Sequence, residues 1–383
     1  MLTRRTAMIG IGAGLAMPWI ASRAIAERAP IVVDIAIPER RVLVAVGVNG
    51  RGPFFFTIDS GGTMGLINAD FAAEQKLPVI GRRRIRGLDA DANTATYVVR
   101  DLLLGGVLHQ HDATFQSVNF PLGKDVVGSL AASALTRYDS VLDFDAGEWR
   151  IYRDGFNDLP GFTAVNSRVA QPLPNGPAYI YVTVTVDDQP FNCIVDTGTP
   201  SALILYPQAA RRTRLWSDPS VPYAPVRINT VGGEGAVTRI VRARDVSIGP
   251  VRFDEPLIRL EGGTPRFKAD GLVGLQLLRQ LDLAVDTNHR RLLIKRNRAA
   301  VPPDYAPGSG LWVDRRDGRL IVADVGRGSP AAAAGIAPGD EIVGTDAEAL
   351  QRSLSGKSGR TVTLTIIHAG QRRSVTIVLK NYL

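Results

Sequence analysis

The stretch Phe56-Thr57-Ile58-Asp59-Ser60-Gly61-Gly62-Thr63-Met64-Gly65-Leu66-Ile67 aligns with Cys193-Ile194-Val195-Asp196-Thr197-Gly198-Thr199-Pro200-Ser201-Ala202-Leu203-Ile204. Each copy is an apolar run that ends in an aspartate, a hydroxyl residue and a glycine, and then becomes apolar again. The two aspartates stand 137 residues apart. That interval is domain-sized and far longer than the roughly 20–50-residue periods of stacked repeats. The apolar run buries the approach. The hydroxyl residue can hydrogen-bond neighbouring backbone, and the glycine permits the tight turn that presents the carboxylate.

The duplication extends in both directions. Upstream, residues 42–48 and 180–186 are β-rich. Each leads into a hairpin turn (Asn49-Gly50-Arg51-Gly52, then Asp187-Asp188) and a Pro-Phe pair, Pro53-Phe54 or Pro190-Phe191. Downstream, Asn68 is positioned to cap a short helix running to Lys76, and Pro207 to open one running to Arg212. Later, Val127-Gly128 matches Val273-Gly274, and Asp145-Ala146-Gly147-Glu148 matches Asp286-Thr287-Asn288-His289. Two lobes of about 130 residues each therefore share one plan. They are divided at the Pro/Gly stretch 172–177, and a second break runs from Pro302 to Gly310.

Composition narrows the function. The 383 residues are 45% hydrophobic and 21% charged, which excludes a wholly disordered chain. Gly at 39 and Pro at 24 favour turns and so β structure. A single cysteine, Cys193, excludes a disulfide scaffold or a multi-cysteine metal site, and four histidines leave little for histidine-based metal chemistry. Residues 1–26 read as an export signal: Arg4-Arg5, then an apolar run from Ala7 to Ala21, then Ala24-Ile25-Ala26. The run is short of the roughly 20 residues that span a bilayer, and the paired arginines suggest the twin-arginine route. The net charge of +8 includes the three arginines of that segment, so the exported chain is mildly basic, which gives no argument for nucleic acid.

If the lobes pack about a pseudo-two-fold axis, the two aspartate turns meet there. Carboxylates about 3 Å apart cannot both ionise and must share a proton. One then serves as general base toward water and the other donates to a carbonyl. These motifs resemble aspartic proteases of the bacterial retropepsin-like kind. Ile58-Asp59-Ser60-Gly61 and Val195-Asp196-Thr197-Gly198-Thr199 carry the likeness, and Asp270-Gly271-Leu272-Val273-Gly274-Leu275-Gln276-Leu277-Leu278 is similar to that family's second signature. The resemblance spans about residues 31–297 and implies two pseudo-symmetric β lobes forming a cleft, with Asp59 and Asp196 as the catalytic dyad. It implies that Ser60 and Thr197 lock the loops together and that Gly61 and Gly198 fold beneath the carboxylates. Gly87 and Leu88, and Gly232 and Gly233, would be flap candidates, with peptide or protein as substrate, no cofactor and no metal. With both aspartates in one chain, a monomer could be active.

One position departs from the family. Thr199 has Gly62 as its counterpart, so Asp59 lacks a hydroxyl donor and should be the easier of the two to protonate. The expectation is a mildly acidic working pH; a pH–rate optimum near about pH 2 contradicts it.

Other readings are weaker. Asp59-Ser60-Gly61-Gly62 looks like the nucleophile segment of chymotrypsin-like serine proteases, but no histidine precedes His109 and the scheme leaves the copy at Asp196 without a purpose. His109 and His111 share one face of a strand, with no third ligand cluster. The arginines at 82–84, 86, 211, 212 and 214 read as a solvated face or a preference for acidic substrates. Cys193 reads as buried packing.

Beyond Gly308 the sequence follows another plan. Gly308-Ser309-Gly310-Leu311-Trp312-Val313 opens a strand after a glycine-rich loop, and Asp317-Gly318 marks a hairpin turn. Ser329 caps a short helix with Pro330 at its first position, and Gly335 stops it. This resembles a bacterial PDZ domain, a small α+β module, over about residues 303–383. Gly310, Leu311 and Trp312 would line its peptide-binding loop and capture a peptide C-terminus. Leu350 to Leu354 leaves little room for the helix that walls the groove in that family. The expected organisation is an export segment at 1–26, lobes at 27–165 and 166–300, and a PDZ domain at 301–383. The function it implies is an exported aspartic endopeptidase, periplasmic or extracellular, with no integral span in the mature chain. The alternative is a catalytically weak peptide-binding protein of the cell envelope.

Overall fold

The run Ile180–Val186 alternates β-branched residues with residues facing away, and Ile180, Val182, Val184 and Val186 are at most 2% exposed. Period-two burial of this kind recurs through the chain and makes it a mainly β structure. A computed structural model describes residues 29–86, 91–170, 178–230, 233–264 and 267–383. The export segment and the stretch 172–177 lie outside the described residues. Among the described residues, no helix is long and apolar enough to cross a membrane.

Strands of the first lobe and the base of the second form a thirteen-stranded sheet, and most of the second lobe forms a ten-stranded one. A separate five-stranded sheet from Leu311–Arg316 to Gln371–Val378 closes over its own core of Leu311, Val322, Ile342, Ile366 and Ile377. Both lobes repeat one unusual strand order. The Arg51–Ile58 strand runs parallel to Val126–Leu130, which also pairs antiparallel with Gly65–Asn68. Likewise Gln189–Asp196 runs parallel to Gly271–Gly274, which pairs antiparallel with Leu203–Leu205. In each lobe a late strand thus inserts between the two arms of the aspartate turn, and the turn is pinned at its foot.

The register corrects one equivalence drawn from sequence. Leu130 lies opposite Ile58 and Val273 opposite Val195. Gly128 therefore corresponds to Gly271, and Ala131 to Gly274, so Val127-Gly128 is not the counterpart of Val273-Gly274. Contact distances explain why glycine recurs at the first pair. A Cβ at Gly271 would sit 2.0 Å from the Ile204 carbonyl oxygen, and one at Gly128 would sit 2.2 Å from the Phe56 ring.

The lobes join at their base. Asp139–Asp143 pairs antiparallel with Leu281–Asp286, with Val141 opposite Ala284. Buried aspartates exchange hydrogen bonds across this seam. Asp139 Oδ1 accepts from the Thr287 N–H at 2.8 Å, and Asp282 Oδ1 accepts from the Phe144 N–H at 3.2 Å. One apolar core runs continuously through both lobes, from Trp149 and Phe56 to Phe191 and Leu203.

Local signals behave as the sequence suggests. Asn68 Oδ1 accepts from the Phe71 N–H at 2.9 Å and starts the helix Ala69–Glu74, and Pro207 opens Pro207–Ala210. Ser329 Oγ accepts from Ala332 N–H at the head of Pro330–Ala333. The wall helix of the C-terminal domain does form, over Ala347–Leu354, against the expectation of little room. Its start lies upstream of Leu350, where Asp346 Oδ1 accepts from the Ala349 N–H at 2.7 Å; Glu348 and Arg352 pair one turn apart.

Gly271→Ala must drive a methyl group into backbone that cannot rotate away. We expect a loss of about 1–3 kcal/mol in urea unfolding, the usual cost of overpacking a core.

Candidate active site

Asp59 follows directly on the Arg51–Ile58 strand, and its N–H donates to the Leu130 carbonyl at 2.8 Å. Asp196 ends its own strand in register with Gly274. The fold brings the two turns face to face. Ser60 N–H donates to Thr197 Oγ1 at 3.1 Å, and Thr197 N–H donates to Ser60 Oγ at 3.0 Å. Each hydroxyl then donates to the strand that leads into the other turn: Ser60 to the Val195 carbonyl at 2.7 Å, Thr197 to the Ile58 carbonyl at 2.6 Å. Both residues are at most 1% exposed. Ser60 is thus spent on structure and cannot serve as a nucleophile.

The glycines lie crosswise. A Cβ at Gly61 would sit 2.3 Å from Asp196 Cγ, and one at Gly198 would sit 2.7 Å from Asp59 Oδ1 and 3.2 Å from Asp196 Oδ1. Each carboxyl therefore rests on the backbone of the opposite turn, and the one Gly198 position lies within 3.2 Å of an oxygen of each, which brings the two carboxyls together.

Their surroundings differ. Asp59 Oδ1 accepts from the Gly61 N–H at 3.1 Å. Asp196 Oδ1 accepts from the N–H groups of Gly198 (2.9 Å) and Thr199 (3.1 Å), and its Oδ2 accepts from the Thr199 hydroxyl at 2.8 Å. Burial, followed by the charge of Asp196, pushes Asp59 up to about 8, against the opposing pull of the Gly61 and Gly62 N–H groups. Burial raises Asp196 too, but the Thr199 hydroxyl, the N–H groups of Gly198 and Thr199, and the Asp59 carboxyl all favour its charged form. The proton of the pair belongs on Asp59, and the pair titrates as a unit.

An aromatic wall beside the dyad left no signal in the motifs. Tyr179 is pushed up to about 12, by burial first and then by the charges of Tyr181, Asp59 and Asp196. Tyr206, raised chiefly by burial, stacks on Phe267 with ring centroids 5.1 Å apart. Tyr179, Tyr181, Tyr206 and Phe267 share one apolar cluster with Ile194 and Leu272. Only the pairing of strands from distant parts of the chain assembles them.

The remaining sequence candidates fall elsewhere. Gly87, Leu88 and Gly232 lie outside the described residues. Gly233 begins the strand Gly233–Arg242 and pairs with Thr230. His109 faces Asp101 on an exposed hairpin, with Nδ1 2.7 Å from Oδ1. The Cys193 thiol is buried and pushed up by that burial, away from thiolate chemistry. Arg212 is tied to Asp270 at 3.1 Å. In the C-terminal domain, Leu311 is buried in the core and its N–H donates to Ser309 Oγ at 3.2 Å. The Gly310 carbonyl accepts from Gly326 N–H at 2.7 Å. Trp312 packs toward the second lobe with Val226, Ile240 and Leu257.

Two β lobes that each contribute one aspartate turn to a shared carboxyl pair define the aspartyl protease class. Residues 44–133 and 182–277 match the family described as aspartyl protease, and residues 307–379 match the PDZ domain family. The lobes of this chain belong to the aspartyl protease family, of the retropepsin-like kind, and are followed by a PDZ domain. Among solved structures, an aspartic proteinase from Irpex lacteus is 14% identical, with a TM-score of 0.45, over 70% of this chain and 97% of that one. No curated protein sequence matches the chain.

Two outcomes follow from the asymmetry. Thr199→Val removes a donor from the charged form of Asp196. A hydrogen bond to a charged group is worth about 1.5–3 kcal/mol, so the acid limb of a pH–rate profile should move up by about one to two units. Asp59 holds in the folded state a proton that it gives up when unfolded. Its contribution to stability is therefore complete below about pH 3.8 and lost as pH rises through about 8. Relative to wild type, Asp59→Asn should be more stable at pH 8 than at pH 5, measured by urea unfolding.

Proposed function

We propose that the protein is an aspartic endopeptidase that hydrolyses peptide bonds with a water activated between Asp59 and Asp196. The observation that carries this reading is the juxtaposed pair of carboxyls, unequally solvated by donors, at the meeting point of two equivalent turns. The ionised Asp196 takes a proton from water as the water oxygen bonds to the scissile carbonyl carbon. The protonated Asp59 gives its proton to the carbonyl oxygen, and a neutral gem-diol forms. Asp196 then passes its proton to the leaving nitrogen as the C–N bond breaks, and Asp59 recovers a proton from a diol hydroxyl. The dyad ends as it began, with one proton. Ser60 and Thr197 keep the carboxyls in place throughout, because their hydroxyls tie each turn to the other lobe.

The upward displacement of Asp59 supports a working range above that of ordinary carboxylates, consistent with a mildly acidic optimum. Arg4-Arg5, the apolar run from Ala7 to Ala21 and Ala24-Ile25-Ala26 support export before function. The proposed substrates are peptides or unfolded segments of protein, which can enter a cleft between lobes in an extended form.

Digestion of casein by the purified full chain tests the reading. Asp59→Asn and Asp196→Asn should each lower kcat by at least about a hundredfold, the lower range of a general acid–base contribution. Cleavage that survives both substitutions overturns the mechanism. Binding of casein without cleavage by wild type would assign the cleft to peptide holding instead.

A further inference from the structure

The edge strand of the C-terminal domain, Leu311–Arg316, is the one whose free side a peptide would join in a PDZ domain. Here its Trp312 and Asp314 side chains reach the second lobe. Asp314 on that strand receives the Arg227 guanidinium through two nitrogens, Nε to Oδ1 at 3.1 Å and Nη2 to Oδ2 at 2.8 Å. Trp312 Nε1 donates to the same carboxylate at 3.0 Å. The pair is mostly shielded, with side-chain exposures of 19% and 14%, so it is more than a solvated surface contact. Arg227 sits where the pairing of Ala224–Thr230 with Gly233–Arg242 slips between Arg227 and Asn229. Such a bulge re-aims a side chain out of the regular ladder.

The contact is broad. Tyr223 Oη donates to Asp324 Oδ1 at 2.9 Å, and the Tyr223 ring meets both Arg239 of the hairpin and Arg327 of the C-terminal domain, 4.6 and 5.6 Å from its centroid. Arg327 Nη1 donates to the Val221 carbonyl at 2.9 Å, and the Tyr382 hydroxyl donates to the Tyr223 carbonyl at 2.9 Å. Arginine, tyrosine and tryptophan around a small apolar centre are the composition of an energetic interface. The glycine-rich loop is packed within its own domain: the Gly308 carbonyl accepts from Lys380 N–H, and a Cβ at Gly310 would sit 2.1 Å from Ser329 Cβ and 2.9 Å from the hydroxyl of Tyr382, the residue that reaches the Tyr223 carbonyl.

The hairpin is continuous with the active site. Gly233–Arg242 pairs with Leu257–Glu261, which pairs in parallel with Leu203–Leu205, the strand that leaves the Asp196 turn. We propose that the PDZ domain is a brace on the second lobe, holding the Ala224–Thr230 and Gly233–Arg242 hairpin in place for substrate binding, with Arg227 and Asp314 as its positioning residues. It follows that the domain's peptide-joining strand serves this internal contact. The proposal rests on the endopeptidase reading for its kinetic test and on the interface alone for its binding test.

The test compares wild type with Arg227→Asp, Asp314→Arg and the double exchange, all as the full chain, with fluorescein-labelled casein as probe. Each single reversal should raise KM about five- to tenfold, the effect of losing about 1–1.4 kcal/mol, with kcat within about twofold because no group at the reacting atoms has changed. The double exchange should recover most of the loss. Unchanged KM in the single variants, or losses that the double exchange does not recover, overturns the brace. Fluorescence anisotropy with the same probe, in the Asp59→Asn background, reads the effect on Kd without catalysis. Hydrolysis that Asp59→Asn fails to remove counts against the enzyme reading alone, whereas a Kd unmoved across the three variants counts against the brace alone.

Discussion

Four hydrogen bonds from two hydroxyl residues, Ser60 and Thr197, hold the site together. Each hydroxyl accepts from the backbone of the opposite turn and donates to the strand feeding it. Because both are fully buried, any slippage of one lobe against the other would strand buried donors without partners, which is costly. The position of the carboxyls is therefore set by the lobe interface as much as by either lobe. The antiparallel pair at the base, with Val141 opposite Ala284 and the exchange through Asp139 and Asp282, resists the same slippage from the far end.

Within this near-symmetry the dyad is unequal, and the inequality is built in at two matched positions. The second lobe has Thr199 beside its aspartate and Gly274 beneath it; a Cβ at Gly274 would sit 2.8 Å from Thr199 Cγ2 and 2.2 Å from the Ser201 carbonyl. The first lobe has Gly62 and Ala131. The backbone bonds are the same in both, Leu275 N–H to the Thr199 carbonyl at 2.7 Å and Ala132 N–H to the Gly62 carbonyl at 3.0 Å. The exchange thus keeps the framework and removes one hydroxyl donor. With fewer donors to solvate a negative charge, Asp59 is the natural holder of the proton, and the two acids acquire different roles from one duplicated motif.

The C-terminal domain adds an asymmetry of another kind. The second lobe carries most of its contacts, chiefly at the edge hairpin of the ten-stranded sheet, while the first lobe reaches it through Arg40, which pairs with Asp304 at 3.2 Å. Since close-packed interiors are poorly compressible and transmit strain, a domain that grips one edge of the sheet can influence the opposite edge by fixing the sheet as a body. The Asp196 turn lies along that sheet, and the Asp59 turn is bound to it through the shared hydroxyl exchange and the crosswise packing of Gly61 and Gly198.

Much of this was legible in one dimension. Two Asp-hydroxyl-Gly turns, each ending an apolar strand, define the repeated lobe, since local turn chemistry and strand alternation are written in neighbouring residues. Caps such as Asn68 and Ser329 were legible for the same reason. The exact counterpart of Gly128 was not, because Gly271 and Gly274 both satisfy the local pattern and only pairing across the strand, with Phe56 and Ile204 in contact, separates them. The helix at Ala347–Leu354 escaped notice because its cap, Asp346, lies ahead of its single buried leucine. Neither Tyr179 nor the Arg227–Asp314 pair has any local mark. Residues alone identified the acids, their turns and the missing hydroxyl at Gly62. The Gly62 position also marked Asp59 as the acid easier to protonate; how far burial pushes it up, what walls the site and which residues the PDZ strand meets depend on contacts between residues far apart in the chain, and these exist only once the lobes have closed on each other.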